Sequence, residues 1–331
     1  MDSITHIVLG ATIGEAIAGK KLGKSALLWG AFAQSLPDID FIGSFWMGTA
    51  QDVWAHRSIT HSFLFVLVMA LVLAAVAGRR LSFREWAVFF GVQLFVHIFI
   101  DAFNAYGTGW FEPFSHYRVS FHALFVADPF YSIWLLVAAV ALWILRRGHP
   151  LRKFWVWFGL GLSCCYVLYC LYNKGQADER VSKELQRQGI RATRWFTTPA
   201  PLNSWLWYTV AEDSGGYRTA YLSVFDRQPA LDFHFFPRND SLLASYRQRT
   251  DVQYLLRFSQ GYYTMENWQD TVVFNVLRFG QIKGWAEENP RFVFHYFLQY
   301  PGENGIIMQR GRVSGWDRRA IHAYLQRIAG N

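Results

Sequence analysis

The sequence predicts an α-helical membrane bundle of about four spanning helices plus an N-terminal helical hairpin, joined to a C-terminal extramembrane α+β domain. Three observations predict it. The chain of 331 residues is 52% hydrophobic and 18% aromatic but only 17% charged, below the roughly 25% usual for soluble domains. Uncharged runs of spanning length recur in its first half. Beyond residue 173 the pattern changes to short alternating runs broken by Gly, Pro, Asn and Asp. This change divides the chain into a membrane-embedded domain, 1–173, and a strand-rich domain, 174–331.

The elements follow in order. Residues 4–19 and 25–36 read as a hairpin, inserted or half-inserted, turning near Gly23. The first arm carries Gly10, Gly14 and Glu15. It does not read as a cleavable signal peptide, because Lys20, Lys21 and Lys24 follow the apolar run instead of preceding it. Spans are expected at 62–78, 86–104, 129–145 and 154–173; the second is apolar apart from His97 and Asp101. Cys164, Cys165 and Cys170 sit in the last span as small buried residues. Residues 174–194 read as a charged amphipathic helix leaving the membrane. Runs such as TAYLSVFD, LDFHFF, VQYLLRFS, DTVVFNVLRFG and RFVFHYFLQY predict one small antiparallel sheet. A helix at 317–328 closes it, and His234 and His295 alternate with aromatics as structural residues.

Charge gives orientation. The net charge is +8, but the basic residues fall in short clusters between apolar runs. That is a membrane-orientation pattern and not a nucleic-acid one. Ten of the twelve Lys and Arg in the first 173 residues form the clusters 20–24, 79–84 and 146–153. All three fall on one side of the bundle. Basic loops stay in the cytoplasm, so the opposite face and the C-terminal domain are expected on the periplasmic side of a bacterial inner membrane.

That opposite face collects His6, Asp38, Asp40, His56, His61, His97 and Asp101. Imidazole and carboxylate form the ligand set of zinc and related divalent ions. His97 and Asp101 are four apart and share one helix face, either as two ligands or as a buried hydrogen bond between spans. In HRSITHS (56–62), His56 and Arg57 are expected in a loop, with Ser58 or Thr60 capping the helix that holds His61. In PDID (37–40) the proline ends a helix, and two carboxylates in extended backbone point one way. His6 follows Asp2 or Ser3, either of which can cap its helix. So many ligands exceed one tetrahedral shell, which suggests two ions bridged by a carboxylate such as Asp40 or Asp101.

MDSITH, PDID, HRSITHS and HIFIDAFNAYGT together resemble the membrane-bound metal-dependent hydrolase family, whose bacterial members include LexA-regulated inner-membrane hydrolases. The resemblance covers roughly residues 1–175, and all four motifs occur in order. The family is remotely similar to zinc-dependent phospholipase C. The resemblance implies the same seven residues as metal ligands, flanked by Arg57 and the turn Tyr106-Gly107-Thr108. Zinc is the metal expected from the ligand set, with manganese or magnesium as alternatives.

The resulting expectation is a metal-dependent hydrolase of phosphoester bonds in membrane lipid or lipid-linked phosphates. Asp40 and Arg57 are the catalytic candidates, Arg57 as a planar fork for a phosphate oxygen. Tyr106 and Thr108 either contact substrate or form a tight turn around Gly107. His116, Arg118, His122 and Asp128 lie in a long loop, 106–128, expected as a lid or substrate edge. Two other classes compete. A divalent-metal transporter needs polar residues along the bundle's depth. A non-catalytic scaffold needs only metal that holds the helices together.

Overall fold

The computed structural model describes residues 1–228, 230–287, 290–304 and 316–330. It forms two compact units: Met1–Ile42 with Ala55–Cys170, and Gly43–Trp54 with Leu171–Asn331.

In the first unit, α1 (Ser3–Leu22) and α2 (Ser25–Ser35) make the N-terminal hairpin. Asp2 caps α1 by accepting the Thr5 amide at 3.0 Å. Gly23, with φ +60°, makes the left-handed turn between the arms. The arms touch backbone to backbone. A Cβ on Gly14 would lie 2.1 Å from the Ala26 carbonyl oxygen, and one on Gly30 would lie 2.0 Å from the Gly10 carbonyl oxygen. Small residues permit this close approach between membrane helices. Glu15 is matched by Arg152 through bonds of 2.7 and 2.6 Å, so this buried carboxylate has its counter-ion.

Pro37–Phe45 is a 3-10 helix, not the extended segment expected. The cause is local: the Ile39 amide donates to the Leu36 carbonyl at 3.1 Å, so the chain turns directly out of α2. α3 (Thr49–Ala55) and a single 3-10 turn, Ile59–His61, lead to α4 (Phe63–Val76). The cap of α4 is Ser62, which accepts the Phe65 amide at 3.1 Å. The expected caps, Ser58 and Thr60, make no such bond to it: His61 ends the 3-10 turn before α4 begins. α5 (Phe83–Asp101) opens with a capping box between Ser82 and Glu85. It packs on α4 around Trp86, Phe89 and Phe90. α6 (Pro129–Ile144) contributes Tyr131 and Leu135 to a core with Val8, Leu9 and Ile13 of α1.

α7 (Leu151–Arg187) is one helix of 37 residues. The apolar span and the separate charged helix expected from the sequence are continuous. The backbone ladder is indifferent to whether side chains are apolar or charged, so a change of solvent need not break it.

Among the described residues, α5 and α7 are long and apolar enough to span a membrane. The stretch Thr49–His61 together with α4 makes a third only as a pair bent by 59°. α6 has 16 residues, or about 24 Å at 1.5 Å each, against a hydrocarbon core of about 30 Å. Against the expected count of about four, two helices meet this test, or three with the bent pair, and α6 is a shorter apolar helix.

Among its described residues, the second unit holds two antiparallel sheets instead of the one expected. The first runs β1 (Arg194–Pro199), β2 (Leu206–Asp213), β3 (Gly216–Ser223), β4 (His234–Pro237) in that order. The second runs β5 (Tyr263–Trp268), β6 (Thr271–Gln281), β7 (Phe292–Phe297). The late turns of α7 lay Ala177, Val181 and Leu185 against Trp207, Ala211 and Leu222. Between the sheets in sequence lie the single-turn α8 (Asp240–Leu243) and α9 (Thr250–Ser259). The run VQYLLRFS, expected as a strand, is in α9. Val252, Leu255 and Phe258 are its buried face, a three-residue spacing that suits a helix. α10 (Arg318–Ala329) is capped by Asp317. Gly43–Trp54 belongs to this unit, and Trp54 stacks on Tyr254 with ring centroids 5.4 Å apart.

Candidate metal centre

All seven ligand candidates lie in the first unit. α1 supplies His6 from its first turn, and α5 supplies His97 and Asp101 from its last two. The 3-10 helix supplies Asp38 and Asp40. The HRSITHS segment supplies His56 and His61. The α1–α2 crossing sets the depth of His6 relative to Gln34, at the end of α2.

Four of these groups converge. Nε2 of His61 and Nε2 of His97 are 3.1 Å apart. Asp38 Oδ1 lies 3.5 Å from the first and 3.6 Å from the second. Asp101 Oδ2 lies 3.5 and 3.7 Å from them. A tetrahedral zinc site with bonds of about 2.0–2.1 Å has edges of about 3.3–3.4 Å. The five distances scatter around that value, so the donor set fits a four-coordinate divalent ion.

The hydrogen-bond pattern prepares these atoms. His97 Nδ1 faces the Gln34 carbonyl, and only an N–H can bond there. Its Nε2 must then carry a lone pair. His61 Nδ1 is 3.0 Å from Thr60 Oγ1, whose hydroxyl donates to Asp40 Oδ2 at 3.0 Å. The Nδ1 hydrogen is directed to that oxygen, which leaves a lone pair on His61 Nε2 as well. Two imidazole lone pairs 3.1 Å apart repel unless a cation lies between them. Asp101 Oδ2 is buried and has no hydrogen-bond partner among the described residues.

A second group shares a carboxylate with the first. Asp38, Asp40 and His56 offer ligand atoms all within 4.8 Å of one another. His56 Nδ1 is 2.9 Å from Asp40 Oδ1. The carboxylate common to both groups is Asp38, in place of the Asp40 or Asp101 bridge expected. The 3-10 turn explains this: Asp38 faces Nε2 of His61 while Asp40 faces its Nδ1 at 3.6 Å. Burial would raise the Asp38 carboxyl, but the adjoining His61 and His97 rings outweigh it and hold it well below the usual range. Burial likewise acts against Asp40, yet the His56 hydrogen bond and charge hold it at about 2. Both are anions at neutral pH, as ligands must be.

The site is graded from inside to outside. His61, His97 and Asp101 side chains are fully buried, while Asp38 is 20% exposed and His56 37%. Access is from the Asp38–Asp40–His56 side.

His6 stands behind this shell. Its ring stacks on His97 with centroids 3.8 Å apart, and its Nε2 is 3.2 Å from Asp101 Oδ1. The Met1 amino group pairs with the same oxygen. Arg57 is also turned inward. It is buried, with Nη1 donating to Asn104 at 2.9 Å, Nη2 to the Met1 carbonyl at 3.3 Å, and Nε 3.2 Å from Asp101 Oδ2. Its backbone amide donates to Asp40 Oδ2 at 2.8 Å. Arg57 adopts φ +62°, a left-handed conformation costly to a residue with a side chain. The guanidinium and amide thus brace two carboxylates at once.

The 106–128 loop is braced too. Gly107 has φ +68°, and a Cβ there would lie 2.8 Å from the Val119 carbonyl oxygen. This is the tight-turn reading of Tyr106-Gly107-Thr108. Arg118 donates to the His56 carbonyl at 2.9 Å. Glu112 accepts from His116 at 2.9 Å. Asp128 caps α6 by accepting the Phe130 amide at 2.9 Å. Residues missed by the sequence reading are Gln34 and Asn104, while Thr60, expected as a cap, holds His61 and Asp40 instead. Gln34 was detectable, as an amide late in an otherwise apolar arm.

The match to known proteins follows this unit. The family described as YdjM inner membrane protein matches residues 1–177. The uncharacterized protein YfhP of Bacillus subtilis (strain 168) is 32% identical over 160 residues, 45% of this chain and 48% of that protein. The inner membrane protein YbcI of Escherichia coli (strain K12) is 31% identical over 169 residues, 46% of this chain and 89% of that protein. The chain thus spans about half the length of YfhP. No solved structure matches. The family match contains every ligand candidate, and the chain belongs to the YdjM family of inner membrane proteins.

Proposed function

We propose that this protein is a membrane-bound metal-dependent hydrolase of phosphoester bonds in lipid or lipid-linked substrates. The observation that carries the reading is the near-tetrahedral spacing of His61, His97, Asp38 and Asp101, at 3.1–3.7 Å. Asp38, Asp40 and His56 would hold a second ion on the exposed side. Zinc suits the first group, with two imidazoles and two carboxylates; manganese or magnesium would suit the more carboxylate-rich second. When bound, such ions polarise a phosphoryl oxygen and bring the pKa of water near 7. The protein's residues do the rest. Thr60 and the Gln34 carbonyl fix the two imidazoles. Arg57, with Asn104, positions Asp101 and Asp40. The partly exposed Asp38–Asp40–His56 edge is where substrate would approach.

The basic clusters support a periplasmic location for this face and for the C-terminal unit. A lipid substrate follows from that membrane-surface position. The test is release of phosphate from lipid phosphomonoesters and lipid diphosphates, and of phosphorylated headgroup from phospholipids, by purified protein reconstituted with zinc. Hydrolysis of one class, lost at least about a thousandfold on chelation and restored by metal, is expected. Divalent-ion flux in proteoliposomes without any hydrolysis would replace the enzyme by the transporter. Tight metal with neither activity would leave the scaffold.

A further inference from the structure

The ends of α1 and α5 remote from the metal centre carry a second feature. A cleft of about 1280 Å³ opens among the last turn of α1, the start of α5 and the α6–α7 turn. Six basic side chains line it, Lys20, Lys21, Arg84, Arg147, Arg152 and Lys153, against two carboxylates, Glu15 and Glu85. The carboxylates are already engaged. Glu15 holds Arg152 at 2.6 Å, and Glu85 pairs with Lys21 while closing the Ser82 cap. Among the described residues lining the cleft, no carboxylate is left for Lys20, Arg84, Arg147 and Lys153, which face one recess with four positive charges.

Part of this recess is built and rigid. Arg147 donates to the Lys20 and Lys21 carbonyls at 2.8 and 3.1 Å, tying the α6–α7 turn to the end of α1. Arg152 donates to the Leu142 and Leu145 carbonyls, both at 2.7 Å. Like charges held together in a recess are costly, and an anion relieves that cost.

The cleft also has an apolar exit. A groove of about 600 Å³ runs along α7 past Phe154, Trp157, Phe158 and Leu162. Pro150, Lys153 and Trp157 line both the groove and the cleft. A basic pocket that leads into an apolar groove on a spanning helix has the chemistry of an anionic headgroup with its acyl chain. A free phosphate would use the first part and leave the second bare.

We propose that this cleft binds an anionic phospholipid, its headgroup phosphate among Lys20, Arg84, Arg147 and Lys153 and an acyl chain along α7. The site is independent of the metal centre and of any activity there.

The test uses the full-length protein purified in neutral detergent, titrated at low salt with short-chain phosphatidylglycerol and phosphatidylcholine. Phosphatidylglycerol should bind at least about tenfold more tightly. The exposed side chains Lys20, Arg84 and Lys153 are replaced together as K20Q/R84Q/K153Q. Each lost charge should weaken phosphatidylglycerol about fivefold, so the triple variant about a hundredfold. Lys20→Gln alone, a milder change, should show the single step. R79Q/R80Q/R146Q removes as much charge from outside the cleft and should stay within about threefold of the parent. Equal losses in the two triple variants would mean a diffuse surface charge and overturn the site. Equal binding of the two lipids would overturn it as well. Full displacement of phosphatidylglycerol by millimolar inorganic phosphate would reduce it to a soluble-anion site.

Discussion

His61→Ala and His97→Ala are each expected to strip the buried ion from the purified protein. Each removes one of four donors whose mutual distances are 3.1–3.7 Å. Removing an outer-shell partner costs about 10–100-fold in metal affinity, so removing a donor should cost more than about a hundredfold. Elemental analysis after gentle purification should find the parent loaded and both variants short of about one ion per chain. Helix content by circular dichroism should be unchanged, because the apolar faces of α4 and α5 do not depend on these rings. His6→Ala provides the contrast. It removes a ring that stacks on His97 and contacts Asp101 but does not join the four. Its loss should fall within the 10–100-fold range. Parent-like metal content in both His61→Ala and His97→Ala would remove the tetrahedral site, whatever His6→Ala does.

His6 also shows how far the sequence could be read. Residue type and position at one end of the bundle single out all seven candidates, because imidazoles and carboxylates within or beside apolar helices are conspicuous. The pair His97 and Asp101 follows from helical spacing alone. Which donors share an ion does not follow. Inner and outer positions depend on side-chain directions across four segments, and these are set by contacts between residues far apart in the chain. PDID illustrates this. Extended backbone would aim both carboxylates one way, whereas the 3-10 turn sends Asp38 and Asp40 to opposite nitrogens of one ring. Arg57 illustrates it again. An arginine beside ligands suggests a substrate fork, but its φ of +62° turns it inward onto Asp101. In the second unit, VQYLLRFS is apolar enough for either element. Its assignment rests on which residues face a core that the local sequence does not reveal. The hairpin arms were legible as helices, but their glycines were not legible as a contact, since each glycine's partner lies on the other arm.

That contact yields a prediction whose sign separates two effects. Gly10→Ala and Gly30→Ala should both destabilise the protein. On helix propensity alone, alanine is favoured over glycine by about 1 kcal/mol. Here the new Cβ would meet a backbone oxygen, at 2.3 Å for Gly10 and 2.0 Å for Gly30. A backbone oxygen cannot rotate away as a flexible side chain can, so the helices must separate. Overpacking typically costs about 1–3 kcal/mol, enough to exceed the propensity gain. Separation would also draw Gln34, which holds His97 through its carbonyl, away from α1 and His6. Metal content should fall together with the thermal midpoint. Gly91→Ala is the matched control, because a Cβ there meets only Ala70 Cβ at 3.9 Å, an ordinary contact. It should leave the midpoint unchanged or raise it slightly. If Gly30→Ala is as stable as Gly91→Ala and keeps its metal, the close α1–α2 crossing does not hold the ligands in place.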